Sequence, residues 1–206
     1  MPSMTISNTA NIGGLELPAT LTRSATGQES HDLKVSDETL HAAKTGTLST
    51  RTDANTGVIT GQSGHGILTG DKIDIYWAGG VQYNVTVGTV SGVSIPIDLG
   101  IGDNLPIATT PVTICKRSVI DVGFDGDLVE FLRAVASVAG HIQFQQDDGT
   151  HIAAASLSPN EAYDIIDDTN DDNPLAAADV GKIAVSLKDT GTTGTFKLGI
   201  LYNSVS

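Results

Sequence analysis

Between Asp71 and Leu99, apolar and polar residues alternate in three successive runs. Ile73, Ile75 and Trp77 alternate with Lys72, Asp74 and Tyr76. Val81, Tyr83, Val85 and Val87 alternate with Gln82, Asn84 and Thr86, and Ile95, Ile97 and Leu99 with Ser94, Pro96 and Asp98. A period of two sends successive side chains to opposite faces, so the region is predicted to be an antiparallel meander with one wet face. Pro96 has no N–H for a ladder and is expected on an edge strand or at a bulge. Ala78-Gly79-Gly80, Val90-Ser91-Gly92 and, further on, Asp147-Asp148-Gly149 read as three-residue hairpin loops ending in a left-handed glycine. They pair Trp77 with Val81, Ile75 with Tyr83, Val87 with Ile95, Val85 with Ile97 and Phe144 with Ile152, which keeps the apolar set on one face.

The same signals organise the rest of the chain. Met1 to about Thr26 has few charges, little periodicity and a Gly13-Gly14 break, and is read as an extended arm (residues 1–26). Short strands follow at Leu33 and Val35, Leu48 to Thr52 and Val58 to Thr60, with a turn at Asp53 to Gly57. After a glycine-punctuated loop from Gly100 to Pro106, a strand at Val112 to Lys116 closes an antiparallel β domain over residues 27–120. A long helix is expected next. Asp127 and Glu130 form a capping box, Leu128, Phe131, Leu132 and Val135 an apolar stripe, and Gly140 a left-handed stop. A hairpin from Ile142 to Ala155, a short second helix starting at Ser158-Pro159-Asn160-Glu161, and a last hairpin of Lys182 to Leu187 with Thr195 to Tyr202 complete an acidic α+β domain over residues 121–206. The predicted class is mainly β with minor α: a β-barrel or sandwich domain followed by a small α+β domain.

Composition supports strands over helices: 39% hydrophobic, only 4% aromatic and 17% charged, with 23 glycines in 206 residues. No run approaches the length of a membrane span. Met1-Pro2-Ser3-Met4 lacks the basic and apolar segments of a secretory signal, so a soluble chain made in the cytoplasm is expected. The net charge is −13, with ten acids and seven bases in residues 1–120 and fourteen acids and four bases in residues 121–206. Such a surface repels phosphate backbones, which argues against direct nucleic-acid binding. It either keeps a crowded protein soluble or faces a basic partner.

Candidate chemistry is sparse. The five histidines, His31, His41, His65, His141 and His151, lack metal-ligand spacing, although His141 and His151 flank one hairpin. There is no nucleophile elbow and no Walker loop, and Gly61-Gln62-Ser63-Gly64-His65-Gly66 is glycine-rich but lacks the lysine that a phosphate cradle requires. The single cysteine, Cys115, cannot form an intrachain disulfide. Beside Lys116 and Arg117 it has the setting of an activated thiol, but its place in a strand predicts a partly buried structural one. Asp164 to Asp172 holds five carboxylates. Asp168, Asn170, Asp172 and Asp179 fall on calcium-loop spacing, but Asn173 and Pro174 occupy the sixth and seventh positions and the twelfth is Asp, so a solvated acidic loop is the better reading. Paired carboxylates for glycoside hydrolysis lack free aromatic platforms. The sequence predicts no catalytic, cofactor-binding or metal-ligating residue, and hence no enzyme.

The runs Leu48-Ser49-Thr50-Arg51-Thr52-Asp53, Thr56-Gly57, Gly64-His65-Gly66-Ile67-Leu68-Thr69-Gly70-Asp71-Lys72-Ile73 and Tyr76-Trp77-Ala78-Gly79-Gly80 resemble segments of structural proteins from tailed-bacteriophage virions, over roughly residues 45–105. The resemblance implies a β-rich virion component made in the host cytoplasm. The kind implied is a capsid decoration (cement) protein that clamps the major capsid protein or other virion subunits, often as a homotrimer. A tail-tube or other tail subunit is the alternative within virions, and a carbohydrate-binding or adhesion module the alternative of another class.

Overall fold

One fifteen-residue strand belongs to two different assemblies, and the architecture follows from it. The computed structural model describes the chain except residues 1–2, 8–10, 13–14, 17–19, 25–29, 101–103, 126–128, 167–172, 176–177, 192 and 205–206. The strands are β1 (Ser3–Ser7), β2 (Asn11–Ile12), β3 (Leu15–Glu16), β4 (Thr20–Ser24), β5 (Ser30–Leu40), β6 (Lys44–Arg51), β7 (Thr56–Gly61), β8 (Lys72–Trp77) and β9 (Gly80–Val87). They continue with β10 (Ser94–Asp98), β11 (Pro111–Asp125), β12 (Val129–Ala136), β13 (Gly140–Gln145), β14 (His151–Leu157), β15 (Ala162–Ile166), β16 (Asp179–Leu187) and β17 (Gly194–Ser204).

The first part of β11 pairs with β6 on one side and β8 on the other, so the order β11-β6-β7-β10-β9-β8 closes on itself as an antiparallel barrel. Closure leaves no free edge. The inward positions, among them Leu48, Ile59, Ile73, Ile75, Val85, Ile95, Ile97 and Ile114, form one apolar core. From Arg117 onward β11 leaves the barrel and pairs with β16, in a sheet ordered β14-β13-β16-β11. A second sheet, β15-β12-β17-β5, packs on it. Ile142, Phe144, Ile183, Val185 and Leu187 of the first share a core with Leu132, Ala134, Phe196, Leu198 and Ile200 of the second. The molecule is therefore mostly β, a barrel joined to a sandwich.

Several expectations are corrected. No described residue is helical. The stretch read as a long helix is β12, which pairs with β15 and β17, and Gly140 opens β13. A register shift between Val129 and Phe131 puts Val129, Leu132, Ala134 and Ala136 inside, so the expected stripe mixes the strand's two faces, Leu132 inside and Val135 on the other. The proposed cap at Asp127 lies outside the described residues. Ser158 to Glu161 is a turn that leads into β15. Asn160 sits at φ 58° and donates its N–H to the Ala136 carbonyl, a tertiary bond that outcompetes a helix start. The expected last hairpin does not form, because β16 and β17 lie in opposite sheets and their apolar faces meet across the core. Thus residues 121–206 hold no α+β unit among their described residues.

The hairpin registers are partly as expected. Asp147 to Gly149 is a three-residue loop with Gly149 at φ 89°, but a bulge pairs Phe144 with Ala153 instead of Ile152. The β8–β9 turn is the two-residue Ala78-Gly79, with Trp77 opposite Gly80 and Gly80 outside the left-handed region. Ile75 therefore faces Gln82 instead of the expected Tyr83, an odd slip that puts Val81 and Tyr83 on the face of Tyr76, and a shift between Ile73 and Ile75 then returns Ile73 to a place opposite Val85. The tip between β9 and β10 is Gly92-Val93, with Gly92 at φ 57°, and Val87 faces Ile97. That pairing differs from expectation by two residues, an even slip that leaves every side chain on its predicted face. Pro96 is on an interior strand, between β7 and β9, but where the β9 ladder has ended and only its carbonyl is needed, by Gly88 N–H. In the segment read as an arm, β1 pairs with β4 and β2 with β3.

Candidate functional site

Alternation on β8 sends Ile73 and Ile75 into the barrel and Asp74 out of it, yet Asp74 is fully buried. The cover comes from the sandwich. Asp74 lies opposite Cys115 on β11, and two residues along, Arg117, Ser186 and His141 stand side by side across β11, β16 and β13. The four polar side chains converge where the two cores meet.

Asp74 organises the cluster. Its Oδ1 accepts the Asn84 N–H at 2.9 Å and lies 3.4 Å from Arg117 Nε. Its Oδ2 accepts the Ser186 hydroxyl at 2.5 Å and lies 3.8 Å from His141 Nδ1. Asn84 reaches it because this residue takes φ 58° at the β8–β9 irregularity, so a local backbone departure serves a long-range contact. No guanidinium nitrogen of Arg117 makes a hydrogen bond among the described residues, so the charge is held chiefly by its proximity to Asp74. Burial lowers the Arg117 pKa, against the opposing pull of Asp74. Burial also holds His141 below its ordinary 6.5, with Asp74 opposing and Arg117 and His151 adding to the effect. Tyr83 stacks on the His141 ring at 3.9 Å, Tyr76 meets Tyr83 edge-on at 6.0 Å, and Lys188 sits 4.7 Å over Tyr76.

Serine, histidine and aspartate in one cluster invite comparison with a nucleophilic triad. The connectivity is wrong for one: aspartate stands between the other two, and Ser186 gives its proton to the carboxylate instead of to the imidazole. Ser186 is also buried, out of a substrate's reach. What the arrangement does is fasten the barrel to the sandwich through one desolvated carboxylate.

His141 is in this cluster, and His151 is exposed at the start of β14, opposite Gln145. His65 is buried and doubly bonded: Nδ1 accepts Ile67 N–H at 2.9 Å, leaving Nε2 to donate to the Gly92 carbonyl at 3.0 Å. It clamps the Gly61–Gly66 loop to the Gly92 turn. His41 is exposed, and the His31 side chain lies outside the described residues. Cys115 is fully buried, and desolvation aided by Asp74 pushes its thiol up to about 12, the opposite of activation. Of the acidic loop, Asp164 makes a bidentate pair with Arg133 at 2.7 and 2.5 Å, whereas 167–172 lie outside the described residues. Among the described residues no three His, Cys, Asp or Glu side chains gather as a metal site. The Asp74 cluster itself was missed, because alternation alone assigns Asp74 to a wet face. The available signal was an acid, a base and a histidine, each inside an apolar strand. Comparison of the chain with protein-family models, with curated proteins and with solved structures found no match.

Proposed function

We propose that this protein is a non-enzymatic structural component of a tailed-bacteriophage virion, a decoration protein that attaches to the capsid shell as a homotrimer. The observation that carries the reading is an asymmetry of surface. Among the described residues four of the five exposed large hydrophobics, Leu68 (62% exposed), Tyr83, Val93 and Ile107 (75%), belong to the barrel strands or their loops, the fifth, Val119, standing on the sandwich part of β11, while most of the negative charge follows residue 121. Covering apolar side chains favours association, whereas burying unpaired carboxylates opposes it. Attachment is therefore assigned to the first part of the chain, with the acidic part facing water. The segments that resemble virion proteins fall on β6 to β9, within that attaching part.

The test is co-sedimentation of the purified protein with preformed, undecorated shells of the parent phage, alongside electron microscopy of the protein alone. Saturable binding that Leu68→Asp and Ile107→Asp weaken supports the proposal. Hollow stacked rings would assign the protein to a tail tube instead. Glycan binding without shell binding would make it an adhesion module, and turnover in a hydrolase screen that a single substitution abolishes would make it an enzyme.

A further inference from the structure

A second feature sits at the mouth of the barrel. Residues 44 and 116 have the same parity as the inward-facing Gly46 and Ile114, and Lys44 is the cross-strand partner of Ile114, so Lys44 and Lys116 are diagonal neighbours on the barrel's inner face. Interior positions of a small barrel are normally apolar. Here, at its end, Lys44 and Lys116 are among the residues that line a cavity of about 200 Å³, with His41, Gly64, His65 and Gly66. In a chain of net charge −13 such a concentration of cationic side chains is unexpected.

Three details give the cavity the character of an anion site. Asp71 Oδ2 pairs with Lys116 at 2.9 Å and also accepts Leu68 N–H, so one carboxylate is set against two lysines, and Lys44 has no ion-pair partner among the described residues. Gly64 and Gly66, both in the lining, take φ 72° with nothing within 4 Å of where a Cβ would stand, so this wall carries no side chain at those two positions. His65, bonded through both ring nitrogens, fixes the loop that forms this wall. From this geometry we infer that the barrel mouth binds a phosphate group, either free phosphate or a phosphate monoester, between Lys44, Lys116 and the Gly64–Gly66 backbone. A dianion there gives Lys44 the counter-charge it lacks and accepts a charge-assisted hydrogen bond from it, while Lys116 offsets the charge of its partner Asp71. The glycine-rich loop lacks a lysine of its own, and the fold supplies two, from β6 and β11. The inference does not depend on the virion assignment.

The test is amide NMR of the full chain at low ionic strength, titrated with inorganic phosphate, phenyl phosphate and acetate. Saturable shifts centred on Lys44, Gly64 and Gly66 are expected with the phosphates. Tighter binding of phenyl phosphate would point to an ester as the natural ligand, and equal or tighter binding of inorganic phosphate to the free ion. Lys44→Gln, which breaks no ion pair, should weaken binding about tenfold, the loss of one charge-assisted hydrogen bond. Lys188→Gln, outside the cavity, should leave it unchanged. No saturable shift, shifts centred elsewhere, equal weakening by both variants, or acetate binding as tightly as phosphate would each overturn the inference. Should Lys44→Gln fail to fold, the position of the wild-type shifts decides alone.

Discussion

Replacing Asp74 with alanine removes the acceptor for the Ser186 hydroxyl and Asn84 N–H and leaves Arg117 buried without its counter-charge. At 3.4 Å and an effective dielectric of about 20, the Asp74–Arg117 attraction is about 5 kcal/mol. Part of that already offsets desolvation, and breaking a buried pair from one side typically costs about 3–5 kcal/mol, a large share of a domain's usual stability. Asp74→Ala should therefore lose about 3–5 kcal/mol in urea unfolding followed by Trp77, the single tryptophan, three residues away on β8. Arg117→Met should cost less, since Asp74 keeps two hydrogen bonds. The double variant should recover part of the loss, because replacing both charges leaves neither stranded. A loss below about 1 kcal/mol for Asp74→Ala, or additivity in the double variant, would refute the view that this carboxylate fastens the two cores.

Further outcomes follow from the same structure. The unfolded chain takes up a proton on His141 near pH 6.5 while the folded one resists it, so stability should be full above about pH 6.5 and fall as pH drops below it; His141→Gln should flatten that dependence in a series of unfolding curves. Cys115 should be inert to a thiol reagent at pH 8 in the native protein and react fully once urea unfolds it. At Gly149, where φ is 89° and space is open, alanine should cost about 1 kcal/mol from backbone strain alone. At Gly140 a methyl would collide with the Ser186 carbonyl oxygen, and the loss should reach about 1–3 kcal/mol. Thermal unfolding of both variants checks the ranking.

The barrel was legible wherever its strands keep a period of two, and face assignment survives an even error in register, as with Val87 and Ile97; where β8 and β9 break that period, an odd slip pairs Ile75 with Gln82 and sets Tyr83 against Tyr76 on the outer face. The β12 misreading has a definite cause: apolar residues stand on both faces of the strand, so Leu132 of the inner face and Val135 of the other fall at a three-residue spacing, and Asp127 with Glu130 resembles a capping box. Adjacency in sequence predicts a β16–β17 pair, whereas six residues suffice to cross from one sheet to the other. The Asp74 cluster and the lysine-lined mouth were invisible for a shared reason. Each assembles residues from strands far apart in sequence, and no local pattern records which outer face another sheet will cover.

The ladder between β5 and β17, from Leu40 opposite Gly194 to Ser30 opposite Ser204, bears on the order of events at the ribosome. All six barrel strands lie between Lys44 and Asp125, and the barrel's own pairings end at Lys116, so that unit can close as soon as β11 has emerged. β5, made earlier, must wait for β17 before its backbone groups find a sheet. Until then it presents an unsatisfied edge, and pairing across so long a separation is slow. Nascent chains should therefore pass through a stage with a finished barrel and an open sandwich, and the waiting β5 is where one chain could wrongly capture another.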